Sequence, residues 1–103
     1  MKQDRLLSLL GLAQRAGKIK SGNYAVEQSV KTGAACLVIM TCDTSDASKK
    51  HIRDMCTYYE TTCREYADKE RLGAAIGKEF RSVLSVEDSG FCKSILALLD
   101  QEQ

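Results

Sequence analysis

Between Cys36 and Tyr59 the chain reads CLVIMTCDTSDASKKHIRDMCTYY. The seven residues from Cys36 to Cys42 are nearly all apolar or β-branched. An uninterrupted run that short fits a strand buried on both faces. Asp43-Thr44-Ser45-Asp46 follows it and offers several residues able to cap a helix N-terminus. Ile52, Met55, Cys56 and Tyr59 then recur at helical spacing, which predicts an amphipathic helix from Asp46 to Tyr59. A strand with no polar face needs a covering layer on each side, so the chain is steered toward an α/β arrangement. Lys49, Lys50 and Arg53 fall off the apolar stripe of that helix and give it a cationic edge.

The rest of the chain repeats the alternation. Asp4 to Ala16 predicts a helix with Leu6, Leu9, Leu10 and Ala13 on one stripe, closed by Gly17. Lys18-Ile19-Lys20 fits a short edge strand whose lysines discourage pairing. A second helix opens at Ser21-Gly22-Asn23, carries Ala25, Val26, Ser29 and Val30 on its inner side, and ends near Thr32. Thr61 to Tyr66 reads as a polar strand, and Lys69 to Ile76 as a short helix capped by Asp68 and stopped by Gly77. Ser82 to Glu87 reads as a strand, and a last helix from Asp88 or Ser89 carries Cys92, Ile95, Leu96 and Leu99. The order α-β-α-β-α-β-α-β-α implies helices on both faces of a small mixed or parallel sheet.

A length of 103 residues fits one domain with one modest core. No run approaches the roughly 18 apolar residues of a membrane span. Lys2 and Arg5 precede a leucine-rich run, but charge interrupts it too often for a secretory signal, and a cytoplasmic monomer is the expectation. The five cysteines, at 36, 42, 56, 63 and 92, have no CxxC spacing. They are expected to be buried free thiols in a reducing compartment, and no metal or cofactor is expected. The net charge of +1 conceals an asymmetry, because residues 1–53 hold nine cationic and four anionic side chains. Such polarity suits a chain that meets something anionic at one end.

Catalytic motifs are missing. Asp43 ends the buried strand, where open α/β sheets place ligands, but no acid pair upstream equips it as a phosphoacceptor. His51, the one histidine, falls on the solvated side of its helix, and no nucleotide-binding or nucleophile-elbow motif occurs. Anion binding fares better. Gly22-Asn23 starts a helix whose first amides and dipole favour a phosphate, and Tyr24 offers a ring for stacking. Lys18, Lys20, Lys31, Lys49 and Arg71 are the candidate phosphate cations. A glycine required only by the turn explains Gly22 equally well.

Several segments together carry a resemblance: Gln14-Arg15-Ala16-Gly17-Lys18, Ser21-Gly22, Cys36-Leu37-Val38-Ile39 through Asp43, Ser48-Lys49-Lys50, Cys56-Thr57-Tyr58-Tyr59, Leu72-Gly73-Ala74-Ala75-Ile76-Gly77-Lys78 and Gly90-Phe91-Cys92-Lys93. The chain resembles the kink-turn RNA-binding ribosomal protein (L-seven-Ae) superfamily, and within it the short bacterial YlxQ-like branch. The resemblance implies a three-layer α/β/α sandwich around a small four-stranded mixed sheet. It also implies contact with a sharply bent RNA through Gly22, Asn23, Tyr24 and Gln28, then Asp43 and Thr44, then Arg71 and Leu72. Strong RNA binders of the superfamily place an Asn-Glu pair and a lysine where this chain has Tyr24, Ala25 and Gln28. Two readings follow: a noncatalytic protein that binds structured RNA, ribosomal or kink-turn-like, and a protein-interaction module on the same scaffold.

Overall fold

Helices and strands alternate strictly along residues 4–101, the residues that the computed structural model describes; Lys2 lies outside them. They are α1 (Arg5–Arg15), β1 (Ile19–Ser21), α2 (Asn23–Lys31), β2 (Leu37–Met40), α3 (Asp46–Tyr58), β3 (Thr62–Glu65), α4 (Lys69–Ala75), β4 (Val83–Val86) and α5 (Ser89–Gln101). Each expected element is present within a residue or two, except that β2 is shorter than the run Cys36 to Cys42. Asp4, Ser45 and Asp68 cap α1, α3 and α4, each accepting the amide three residues on.

Period-two alternation along β2 and β4 sets the layers. Leu37, Ile39, Leu84 and Val86 face one core cluster, closed by Leu6 and Leu10 of α1, Leu72 of α4, and Ile95 and Leu99 of α5. Val38, Met40 and Val83 face a second cluster, closed by Val26 and Val30 of α2 and by Ile52 and Cys56 of α3. The result is an α/β/α sandwich. Its four-stranded mixed sheet has the order β1-β4-β2-β3, with β1 and β2 antiparallel to β4 and β3 parallel to β2. β3 is polar because it is an edge strand, with all four residues half-buried. Lys49 and Arg53 of α3 both hold its Glu65, and Lys50 pairs with Asp54 at 2.7 Å, so carboxylates neutralise the cationic edge of α3.

Two buried serines break the apolar pattern and are satisfied. The Ser85 hydroxyl donates to Ser29 Oγ at 2.9 Å, and Ser29 donates to Glu87 Oε2 at 2.6 Å. That chain explains a serine on the inner stripe of α2. Gly73 has a steric reason: a Cβ there would lie 2.9 Å from the Glu79 carbonyl oxygen. The helix therefore packs directly beneath the loop that leads to β4.

The cysteines correct the expectation of five free thiols. Cys36 and Cys92 form a disulfide. Cys36 precedes β2 and Cys92 lies in the first turn of α5, but both sulfurs sit against the Val86 carbonyl at the end of β4, at 3.3 and 3.5 Å. Cys42 is exposed, Cys56 is buried and Cys63 half-buried, all as thiols. Cys56 donates to the Cys63 sulfur, which raises the Cys56 pKa and lowers that of Cys63.

Candidate nucleic-acid interface

β1, β2 and β3 end at the rim where β4 begins, and backbone pairing fastens their turns together. The Gly22 amide donates to the Val83 carbonyl at 3.1 Å, and the Thr41 amide to Ser82 at 2.9 Å. The Arg81 amide donates to the Lys69 carbonyl at 3.1 Å. The Lys69 amide donates to Asp43 Oδ1 at 3.2 Å. The turns at Gly22 and Asp43 and the start of α4 are thus joined through residues 81–83. Thr41 and the Lys69 amide hydrogen-bond the Asp43 carboxyl and hold it below the ordinary carboxylate range.

Gly22 has φ of 93° and ψ of 157°, a conformation open essentially to glycine alone. No atom lies within 4 Å of where its Cβ would be, so the requirement is conformational rather than steric. Its amide is spent on Val83, which corrects the expectation of a bare Gly22 N–H. The uncovered donors are the first-turn amides of α2, which has no side-chain cap; Val26 is the first to donate back, to the Gly22 carbonyl. Gly22→Ala should therefore lower unfolding free energy by about 1–3 kcal/mol through backbone strain. Urea denaturation with an unchanged midpoint would contradict that turn geometry.

The structure gathers some candidate residues and disperses others. Asn23 and Tyr24 stand exposed at the rim, Tyr24 at 76%, and Gln28 is exposed one turn further along α2. Asp43 faces solvent, whereas Thr44 is buried with its hydroxyl 2.8 Å from that of Thr41, bracing the turn from within. Lys20 is exposed in mid β1, and its strand neighbour Ser85 borders α2. Arg71 is half-exposed but bound to Asp4 Oδ2 at 3.1 Å, a carboxylate that also accepts the Tyr66 hydroxyl.

Four candidates are corrected by their placement. Leu72 is fully buried in the larger core cluster, so its side chain is closed to solvent. Lys18 sits at the opposite rim, its carbonyl accepting the Glu87 amide, because extended chain carries it roughly 13 Å from Gly22. Lys31 occupies the last turn of α2, roughly 12 Å along the axis from Asn23, and pairs with Glu27 at 2.9 Å. Lys49 is largely covered and held by Glu65 at 3.0 Å.

Arg81, Lys69 and Phe80 join the rim beyond the candidates named from the sequence. The Arg81 guanidinium donates to Ser21 Oγ at 3.2 Å and to the Phe80 carbonyl at 2.7 Å, two of its five N–H donors. Lys69 is exposed beside Asp43, and the Phe80 ring is 54% exposed. A signal was present in Lys78-Glu79-Phe80-Arg81, an aromatic among cations just before a strand. The rim thus combines uncapped helix amides, two exposed aromatic rings and cations, while Asp68 and Asp43 are turned onto backbone amides. Among the described residues, no cluster of His, Cys, Asp and Glu is placed to hold a metal, and no helix is long and apolar enough to cross a membrane.

The model of the ribosomal protein L7Ae/L30e/S12e/Gadd45 family matches residues 4–97. The chain belongs to this family. Within the family it lies on the YlxQ-like branch: it is 40% identical to the RNA-binding protein YlxQ of Bacillus subtilis (strain 168) over 92 residues, 89% of this chain and 92% of that protein. A solved structure of a Bacillus halodurans C protein of unknown function superposes with a TM-score of 0.92 at 38% identity, covering 95% of this chain and 99% of that one. The Giardia lamblia 15.5kD RNA binding protein shares the fold, with a TM-score of 0.78 at 20% identity over 98% of this chain and 90% of that one.

Proposed function

We propose that this chain is a noncatalytic RNA-binding protein that grips structured RNA, ribosomal or kink-turn-like, at the rim where β1, β2 and β3 end. The observation that carries the reading is the hydrogen-bonded convergence of the Gly22 turn, the Asp43 turn and the start of α4, beside the uncapped first turn of α2. Bare amides at a helix start attract phosphate, cations add charge, and exposed rings stack on unpaired bases. The naming of the Bacillus subtilis relative as RNA-binding supports the same reading. In this reading Lys20, Lys69, Arg71 and Arg81 are the cations that meet phosphate, and Tyr24 and Phe80 the stacking surfaces. Residues 1–103 then act as a single domain and a cytoplasmic monomer.

A salt titration tests this. Affinity for a kink-turn RNA should fall with salt by about 0.7–0.9 log units per log unit for each phosphate neutralised. Because Ala25 has no acceptor to read a base edge, the preference for a kink-turn over a plain duplex should be smaller than in relatives with the Asn-Glu pair. Equal binding to both RNAs, micromolar or weaker, would remove kink-turn specificity.

A second reading, a protein-interaction module, is favoured by one observation: Lys31, Lys49, Arg53 and Arg71 are all already paired with carboxylates. Pull-downs before and after nuclease treatment separate the two, since partners held through RNA are lost on digestion.

A further inference from the structure

A tight return joins α3 to β3. Glu60 takes a positive φ of 58°, and the Thr61 amide donates back to the Cys56 carbonyl at 2.8 Å. The return brings Cys63 of β3 against the inner side of α3, where it packs on the second core cluster beside Cys56. Cys63 stands in register with Val38 and shares its face of the sheet. Cys56 is 2% exposed, while Cys63 is half-buried because β3 is an edge strand. The two thiols touch, Cys56 donating to the Cys63 sulfur. We propose that Cys63 is a site of oxidation by hydroperoxides, and that Cys56 resolves the oxidised sulfur into a reversible disulfide. The proposal stands on this pair of thiols and does not rest on the RNA-binding reading.

The surroundings give the two sulfurs different roles. The thiolate is the form that attacks a peroxide, and nearby cations and hydrogen-bond donors favour it. The hydrogen bond from Cys56 does most to hold the Cys63 thiol below its ordinary pKa, and the Arg53 and Arg64 guanidinia add to it against the effect of burial. Arg53 lies one turn before Cys56 on α3, and Arg64 follows Cys63 and donates to its carbonyl at 3.0 Å. Arg53 also holds Glu65, and Arg64 approaches Asp100 at 4.0 Å, but a guanidinium has five N–H donors to share. Cys56 is the reverse case: donation to Cys63, and then burial, push its pKa up, so it stays a thiol until its neighbour is oxidised. An accessible thiolate beside a resolving thiol is the arrangement of reversible cysteine oxidation. The Cys63 thiolate attacks one peroxide oxygen, the O–O bond breaks, and the other oxygen leaves with a proton as an alcohol or water. Cys63 is then a sulfenic acid. Cys56 attacks that sulfur, the S–S bond forms, the S–O bond breaks, and hydroxide leaves with the Cys56 proton as water. The two thiols have passed two electrons to one hydroperoxide, and a thiol reductant restores them.

Hydrogen peroxide added to the intact chain tests this. Trypsin, cutting after Arg53 and Arg64, releases residues 54–64 as one peptide with both cysteines. After stoichiometric peroxide, with the remaining thiols alkylated in denaturant, that peptide should carry no alkyl group and be lighter by two hydrogens. Free thiols should fall from three per chain to one, Cys42. Cys56→Ser should halt the reaction at the sulfenic acid, read as a dimedone adduct on Cys63, and Cys42→Ser should leave disulfide formation intact. The wild-type peptide decides the matter even where Cys56→Ser does not fold. A peptide that keeps both thiols while Cys42 is oxidised would overturn the proposal, as would a disulfide joining Cys42 to Cys63 or to a second chain. Oxidation confined to Met55, seen as a gain of one oxygen, would overturn it too.

Discussion

Ile39→Asp abolishes cooperative folding. Ile39 is fully buried in β2 and stands in register with Leu84 on one side and Arg64 of the edge strand on the other. Its side chain enters the larger core cluster, among leucines from α1, α4 and α5. No cation is part of that cluster, so a carboxylate there stays protonated or unpaired. An unpaired buried charge costs about 3–5 kcal/mol, and the lost aliphatic contacts add about 2–5 kcal/mol. Together these match the whole stability of a domain this size, about 5–15 kcal/mol. Val38→Asp should do the same from the other face, where Val26, Val30 and Ile52 close the second cluster. Ile39→Leu, which keeps the volume, should cost less than about 1.5 kcal/mol. Circular dichroism melts distinguish the cases. A soluble Ile39→Asp protein with a cooperative, near wild-type transition would remove β2 from the centre of the sheet.

The residues that made β2 legible also mark where legibility ends. A strand flanked by two others and covered on both faces loses its alternation, and Leu37–Met40 shows that plainly. The glycines at 17, 22, 33 and 77, all with positive φ, announce their turns because few other residues adopt such backbone. Which strands pair is another matter. β4 lies between β1 and β2, and only that order brings Arg81 to Ser21 across 60 positions. Lys18 is close to Gly22 in sequence and far in space, because extended chain spends its length along one direction. Leu72 shows the limit of resemblance by position, since the backbone segment corresponds while the side chain turns inward. The disulfide escaped for the same reason as Arg81: Cys36 and Cys92 meet only through the end of β4.

That disulfide carries the second large effect. The cysteines are 56 positions apart, so the bond closes a long loop in the unfolded chain. Loop-closure entropy for that length gives roughly 4 kcal/mol at 25 °C, and removing native disulfides commonly costs about 2–5 kcal/mol. Reduction should therefore lower the unfolding free energy by several kcal/mol, read as a lower urea midpoint. A variant with both Cys36→Ser and Cys92→Ser should match the reduced protein and respond no further to reductant, which excludes Cys42, Cys56 and Cys63 as the source. Location adds a second readout. Cys36 and Cys92 are tied to Val86, whereas Gly22 is tied to Val83, roughly 10 Å away at the opposite end of β4. While the reduced protein remains folded, its affinity for RNA should equal that of the oxidised form, since the rim keeps its own backbone pairing. A urea midpoint that does not move with reductant would mean that Cys36 and Cys92 are thiols in solution, as the sequence alone suggests. Cohesion between the start of β2 and α5 would then rest on the apolar packing of Val86, Ile95 and Leu99.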